Sequence, residues 1–182
     1  MSLRASITSE LVLRDVHVGE DALLPGATSL RGPLTCLSEA RFGIVFGAVG
    51  AARDCLETAL AYAGNREQFG RPISGFQLTQ RKFAEMTAEV NSSLLLAMRL
   101  GAIKDAGGIR PEQVSLGKFT NVSMALRVAR EARTILGANG ISGEYPVMRH
   151  MANLESVLTY EGTHEVHTLV VGEAVTGVNA FR

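Results

Sequence analysis

The sequence predicts an all-α protein, an antiparallel four-helix bundle preceded by a short β-strand. Apolar residues recur at three- and four-residue spacing over most of the chain from Leu34 onward, as in amphipathic helices. Short segments with Gly and Pro separate these stretches. The chain has 19 Gly, seven Phe, three Tyr and no Trp, so its helices carry many small side chains. Four long helices with short connections make a bundle the default architecture.

The first segment predicts the strand. Residues Glu10 to Val18, ELVLRDVHV, alternate well enough for one. Pro25-Gly26 and Gly32-Pro33 then mark a loop. Because a lone strand has no ladder partner and is marginal by itself, we expect it to belong to a sheet outside this sequence.

The helices follow in order. We predict the first from Leu34 to Gly64-Asn65, the second from about Gln77 to Ala106 and the third from Pro111 to Gly137. Pro111 suits the first turn of a helix, where no N–H partner is needed. A short helix is expected over Val147 to Leu154, and a last one from Thr163 through Ala174.

Three glycines on one side of the first helix, Gly43, Gly47 and Gly50, cost helix propensity of roughly 1 kcal/mol each. Close packing or a ligand would justify them.

Charge and hydropathy limit the partners. The chain has 18 basic and 18 acidic residues and no formal net charge, which argues against nucleic acid or an anionic membrane surface. No apolar run approaches the ~20 residues of a membrane span, so we expect none.

A metal site is the first reading of the polar cluster Tyr160 to His167. Glu161-Gly162-Thr163-His164 matches the Glu-x-x-His pattern of di-iron bundles, but no second copy exists in the chain. His164-Glu165-Val166-His167 is one residue short of the His-Glu-x-x-His zinc spacing. We therefore predict no metal. A capped helix start with solvated charges is the alternative from spacing alone.

Two further segments have an ordinary and a functional interpretation. NREQFGRPISG, from Asn65 to Gly75, is either a charged loop or a phosphate site, since guanidinium groups bind phosphate in a fork. Leu136 to Gly140 is either a helix C-cap or a turn that a ligand can approach.

Together, in this order, these segments resemble the acyl-CoA dehydrogenase family. The resemblance rests on ARFGIVFGAVGAA from Ala40, NREQFGRPISGFQ from Asn65, ARTILGANGISGEYP from Ala132 and TYEGTHEVH from Thr159. Within the family, the last piece looks most like glutaryl-CoA dehydrogenases, although related short-chain and plant peroxisomal members share much of it. The resemblance implies that residues 1–33 are the trailing strand and linker of a middle β-domain, and that 34–182 form the C-terminal helical bundle.

The resemblance also implies a chemistry. Glu161 would remove the α-proton of an acyl thioester, while the β-hydrogen leaves as hydride to the flavin of FAD. Some members place the base just before Arg41, but Ala40 stands there, so Glu161 is the sole matching base. The implied substrate-binding residues are Leu34, Ser38, Arg41, Tyr160 and Gly162. The implied cofactor-binding residues are Arg66, Phe69, Gln77, Thr134, Gly137, Ala138, Thr163, Glu165 and Phe181.

The expected reaction is glutaryl-CoA to crotonyl-CoA with release of CO2. The alternatives are a dehydrogenase for another short-chain acyl-CoA and a non-enzymatic oligomerisation or interaction module. The resemblance further implies an acyl-CoA substrate, electron-transfer flavoprotein as acceptor and assembly as a dimer of dimers. The expected location is the cytoplasm in a bacterium or the mitochondrial matrix in a eukaryote. We expect this chain by itself to be inactive.

Overall fold

The computed structural model describes residues 1–27 and 29–181. Its helices are α1 (Arg31–Asn65), α2 (Gln77–Asp105), α3 (Pro111–Leu136), α4 (Val147–Thr159) and α5 (His164–Thr176). Between α1 and α2, β1 (Glu67–Gln68) and β2 (Arg71–Pro72) pair in an antiparallel hairpin. Short 3-10 turns lie at Glu20–Ala22, Ile73–Gly75 and Gly137–Ile141. The all-α prediction is confirmed.

Helix α3 is the central element, because it packs against all four other helices. Its apolar residues recur at helical spacing, so one broad stripe is buried. The side-chain amide of Asn121, fully buried on that stripe, donates hydrogen bonds to the carbonyl oxygens of Val45 in α1 and Ser93 in α2, at 3.0 and 3.1 Å. Asn121 therefore ties the three long helices together by polar contacts inside the core.

The close approach between these helices occurs at Gly117 of α3. A Cβ atom at Gly117 would lie 2.5 Å from Leu100 Cδ1 and 2.9 Å from a Val45 methyl carbon. By contrast, Gly43, Gly47 and Gly50 face open space. Packing inside this chain therefore does not explain those three glycines of α1.

Three expectations about the elements need correction. Residues Glu10 to Val18 form no strand, and their side chains are exposed, because the described chain offers them no ladder partner. The described residues form three long helices, of 35, 29 and 26 residues, and two helices of 13 residues each, whereas four long helices were expected. Finally, α4 continues five residues beyond Leu154 to Thr159, where the chain turns.

Among the described residues, α1 is long and apolar enough to cross a membrane by length and composition, with a mean hydropathy of 1.3 over its 18-residue window. The expectation that no apolar run approaches a membrane span was therefore wrong on those two criteria. Small apolar residues between the charged ones of α1 raise the average. One such helix is weak support for a span, because the core helix of a bundle has the same composition, and α1 packs along α3.

Candidate active site

The candidate site is the four-residue connection between α4 and α5. Glu161 and Gly162 adopt positive φ angles of 57° and 90°, and this left-handed pair turns the chain into α5. Thr163 then caps α5, because its Oγ1 accepts the N–H of Val166 at 3.3 Å. A left-handed conformation costs a residue with a Cβ about 1–2 kcal/mol. The surroundings must therefore hold Glu161 in place.

Three side chains from three helices hold the main chain on both sides of Glu161. Lys118 Nζ of α3 donates to the carbonyl oxygens of Tyr160 and Gly162, the latter at 2.6 Å. Arg41 Nε of α1 donates to the carbonyl oxygen of Glu161 at 2.6 Å. His167 Nε2 of α5 lies 3.2 Å from the same oxygen. Three successive carbonyl groups are thus satisfied by cationic or imidazole donors.

Burial sets the charge states of these donors. Desolvation, with the Arg41 charge, lowers the pKa of Lys118 to about 8, and the Glu161 carboxylate partly opposes the shift. Desolvation, with the Lys118 and Arg41 charges, lowers the pKa of His167 to about 4. Near neutral pH Lys118 is therefore mostly an ammonium, whereas His167 is neutral. Since a carbonyl oxygen only accepts, the neutral imidazole carries its hydrogen on Nε2.

The carboxyl group of Glu161 is less completely satisfied than its main chain. Its Oε2 atom is buried, and no hydrogen-bond partner for it exists among residues 1–27 and 29–181. A buried polar atom without a partner costs about 1–3 kcal/mol and calls for an explanation. A role in accepting a proton from a bound molecule would explain why this oxygen has no partner. Burial, followed by the Glu161 charge, raises the pKa of Tyr160.

The other predicted substrate-binding residues belong to the start of α1. Leu34, Ser38 and Arg41 are spaced by four and three residues, so they share one face of the helix. Of the three, Arg41 bonds to Glu161, and Ser38 Oγ donates to the Leu34 carbonyl oxygen at 3.0 Å. That face therefore leads along α1 toward the Glu161 loop.

Three predicted cofactor residues lie together in a second place. Phe69, Gln77 and Thr134 line an open groove of about 830 Å³, together with Arg71 and Lys82. Phe69 occupies the two-residue turn of the hairpin with positive φ, as such tight turns require, and is 94% exposed. This groove suits an aromatic nucleotide, because it offers an exposed aromatic ring for stacking together with an amide, a hydroxyl and two cations for polar contacts.

The remaining predicted cofactor residues are not brought into that groove. Arg66 lines a separate cavity of about 510 Å³ with Tyr62 and Asn139. Gly137 and Ala138 are exposed at the end of α3, where Gly137 has a φ of 61°.

The last three cofactor predictions lie at the start of α5, on it or beyond it, and Thr163 is its N-cap. Glu165 is exposed in its first turn, where its own N–H and the Thr163 hydroxyl lower its pKa by hydrogen bonding. Phe181 lies beyond α5 and is 54% exposed. Within one chain the predicted cofactor set is therefore divided among separate surfaces.

Two residues of the site were missed by sequence reasoning. His167 was considered as a possible metal ligand, and Lys118 was not considered at all. Lys118 had a usable signal, since it stands at the helical spacing of the buried stripe of α3, between Val114 and Val122. A lysine in an apolar stripe is unusual because its charge must be paired when buried. Within the part of the chain that is described, no three His, Cys, Asp or Glu side chains cluster as metal ligands.

Comparisons with known proteins show the family of the chain. Residues 31–176 match the family described as acyl-CoA dehydrogenase, C-terminal domain. The crystal structure of glutaryl-CoA dehydrogenase from Mycobacterium smegmatis is 70% identical with a TM-score of 0.97, covering 100% of this chain and 47% of that one. A crystal structure of a glutaryl-CoA dehydrogenase from the same organism in complex with FADH2 is 61% identical, again with a TM-score of 0.97 and coverages of 100% and 47%.

A curated relative points to a second subfamily. The short-chain specific acyl-CoA dehydrogenase of Megasphaera elsdenii is 34% identical over 176 residues, which are 96% of this chain and 46% of that protein. This chain therefore spans about half the length of the relatives it matches.

Proposed function

Because the chain belongs to the acyl-CoA dehydrogenase family, as its C-terminal domain, we propose that it carries the catalytic base of an FAD-dependent acyl-CoA dehydrogenase. The observation that carries the proposal is Glu161: a carboxyl group with one buried oxygen unpartnered within the described chain, on a main chain held by Lys118, Arg41 and His167. This arrangement suits a group that must meet a proton at a fixed place.

The contribution of this chain is proton removal. The carboxylate of Glu161 accepts the α-proton of a bound acyl thioester, and the C–H electron pair enters the new α,β double bond. Such a proton is weakly acidic, so the base must be close and oriented. The left-handed Glu161 main chain supplies that orientation, and the face of Leu34, Ser38 and Arg41 would carry the substrate past it.

The groove lined by Phe69, Gln77 and Thr134 fits part of FAD, since an exposed aromatic ring and polar donors suit a dinucleotide. FADH2 in the relative from Mycobacterium smegmatis supports the same cofactor. When bound, FAD supplies the acceptor for the hydride that leaves the β-carbon. The other cofactor contacts stay predictions, and they lie outside this groove on other surfaces of the chain: Arg66, Gly137, Ala138, Thr163, Glu165 and Phe181.

We infer glutaryl-CoA as the substrate, with CO2 release to crotonyl-CoA. The 70% identical glutaryl-CoA dehydrogenase supports this choice, and the 34% identical short-chain enzyme supports another short-chain acyl-CoA as the alternative. A substrate panel on the flavin-loaded enzyme that contains this chain decides between them. Dye reduction with glutaryl-CoA, accompanied by stoichiometric CO2, supports the proposal; turnover of butyryl-CoA alone supports the alternative.

A self-association of this chain is also proposed, as a dimer or a dimer of dimers. Exposed apolar side chains on α2, Leu95 at 67% and Met98 at 58%, and the open glycine face of α1 support it. A clean monomer by light scattering at high concentration contradicts this.

The family resemblance alone supports two further proposals. Electron-transfer flavoprotein is proposed as the electron acceptor, and the cytoplasm or the mitochondrial matrix as the location.

A further inference from the structure

The side chain of Lys118 occupies an unusual position for a lysine. It is 2% exposed in the middle of α3, yet its ammonium group reaches the loop between α4 and α5. There it donates to the carbonyl groups of the residues immediately before and after Glu161, and it lies 5.7 Å from the centroid of the Tyr160 ring. Lys118 is thus joined to the main chain on both sides of the base.

Burying an ammonium group costs stability unless the fold needs its charge or its donors. The turn that Lys118 reaches is half-buried at Glu161, Gly162 and Thr163, while Lys118 itself is buried. Here the turn carries Glu161 with a φ of 57°, a conformation that relaxes unless neighbouring groups hold it. Gly162, with a φ of 90°, adopts a positive φ without this cost because it has no Cβ, so the cost falls on Glu161.

We propose that Lys118 is a positioning residue for the Glu161 base: its ammonium group bridges the Tyr160 and Gly162 carbonyls and so fixes the left-handed main chain that aims the Glu161 carboxyl group. This inference rests on the proposed function. Arg41 and His167 share the Glu161 carbonyl from the other sides, but Lys118 alone among the described residues contacts both flanking carbonyls.

A first test replaces the ammonium group by an apolar chain of similar length, Lys118→Met, in the flavin-loaded enzyme that contains this chain. We expect kcat to fall roughly 10- to 100-fold, because small displacements of a base are costly, while KM for the acyl-CoA changes little. The control is Arg53→Met, which removes a cation of α1 that forms an exposed pair with Glu57 and belongs to neither the proposed site nor the cofactor groove. A folded Lys118→Met enzyme with kcat within about twofold of the parent overturns the proposal.

A second readout does not depend on turnover. In the 182-residue chain, amide hydrogen exchange at Val166 and His167, whose N–H groups bond to Thr163 at the end of the turn, reports how well the turn is held. Lys118→Met should accelerate exchange at these amides and leave those of α2 unchanged. Unchanged exchange at Val166 and His167 in a folded variant contradicts a positioning role.

A charge-retaining variant keeps the proposal testable if Lys118→Met does not fold. The pKa of Lys118 is about 8, and the charged or titratable groups around it are Arg41 of α1, Tyr160 and Glu161 of the loop, and His167 of α5. Arginine stays protonated throughout the accessible range. In Lys118→Arg, the alkaline fall of kcat should therefore move at least one pH unit upward relative to the parent. An alkaline limb at the parent position overturns the proposal.

The two levels of inference can fail separately. An inactive Glu161→Gln enzyme beside a fully active Lys118→Met enzyme removes the role of Lys118 and leaves the proposed function intact. A fully active Glu161→Gln enzyme removes the proposed function instead, whatever Lys118→Met does.

Discussion

Arg41 in α1 donates a hydrogen bond of 2.6 Å from Nε to the main-chain carbonyl oxygen of Glu161, 120 positions away in the sequence. The guanidinium group therefore contacts the main chain of the proposed base while its neighbours on α1, Leu34 and Ser38, form the proposed substrate face. Under the proposed function, Arg41 therefore couples the position of the substrate to the position of the base.

Arg41→Met should reduce kcat of the flavin-loaded enzyme roughly 10- to 100-fold, since hydrogen bonds from charged donors contribute about 1.5–3 kcal/mol. The control is Arg53→Met on the same helix, where the arginine forms an exposed pair with Glu57. That change should alter kcat less than about twofold, because exposed pairs contribute little. Steady-state kinetics of both variants make the comparison, and equal losses would argue against the role of Arg41.

Gly162→Ala should destabilise the chain by more than about 1–2 kcal/mol. Gly162 has a φ of 90°, and an added Cβ would lie 2.9 Å from His167 Nε2. Gly172→Ala in α5 is the matched control, because a Cβ there meets nothing within 4 Å. That change should be neutral or stabilising by about 0.5–1 kcal/mol. Urea unfolding of the three proteins measures both effects, and similar midpoints for all three would contradict the strained turn.

Acid should weaken the fold through His167. Its pKa falls from the usual 6.5 to about 4 in the folded chain, so the unfolded chain binds the proton first as the pH drops. The neutral His167 side chain therefore contributes fully to the free energy of unfolding above pH 6.5. As the pH falls toward and below 4, that free energy decreases by up to about 3 kcal/mol. His167→Gln keeps an N–H donor without a titrating ring and should flatten this slope. His17→Gln, in the exposed N-terminal segment, should keep the parent slope in urea titrations at several pH values.

The chain by itself should hold FAD weakly and show no turnover, because it spans about half the length of its relatives and its predicted cofactor contacts are divided among several surfaces. Flavin absorbance of the purified 182-residue chain and dye reduction with glutaryl-CoA test this. Full turnover by the chain alone would refute the expectation. A non-enzymatic interaction module would also lack turnover, so the flavin-loaded enzyme must be measured in parallel.

The sequence was informative where local rules decide the structure. Helical spacing with Pro111 and Gly137 placed α2 and α3 within a residue or so of their ends, and Thr163 was correctly expected at the start of α5. The strand at Glu10 to Val18 was wrong because strand formation needs a partner that the described chain lacks.

The candidate site was only half predictable. Glu161 came from the motif, whereas its left-handed main chain and its support by Lys118 depend on contacts between α3 and a loop 42 to 44 residues later. No local pattern encodes which carbonyl a buried ammonium group will reach. The lysine in the apolar stripe was visible in the sequence, but its purpose was not.

The most direct test of the whole account is Glu161→Gln in the flavin-loaded enzyme that contains this chain, with Glu155→Gln as control. Glutamine keeps the shape of the side chain but cannot accept the α-proton, and a general base contributes about 10²–10⁴-fold. Stopped-flow measurement of flavin reduction by the acyl-CoA should show a loss of at least about 100-fold for Glu161→Gln and less than about twofold for Glu155→Gln. Flavin reduction at the parent rate in Glu161→Gln would contradict the account.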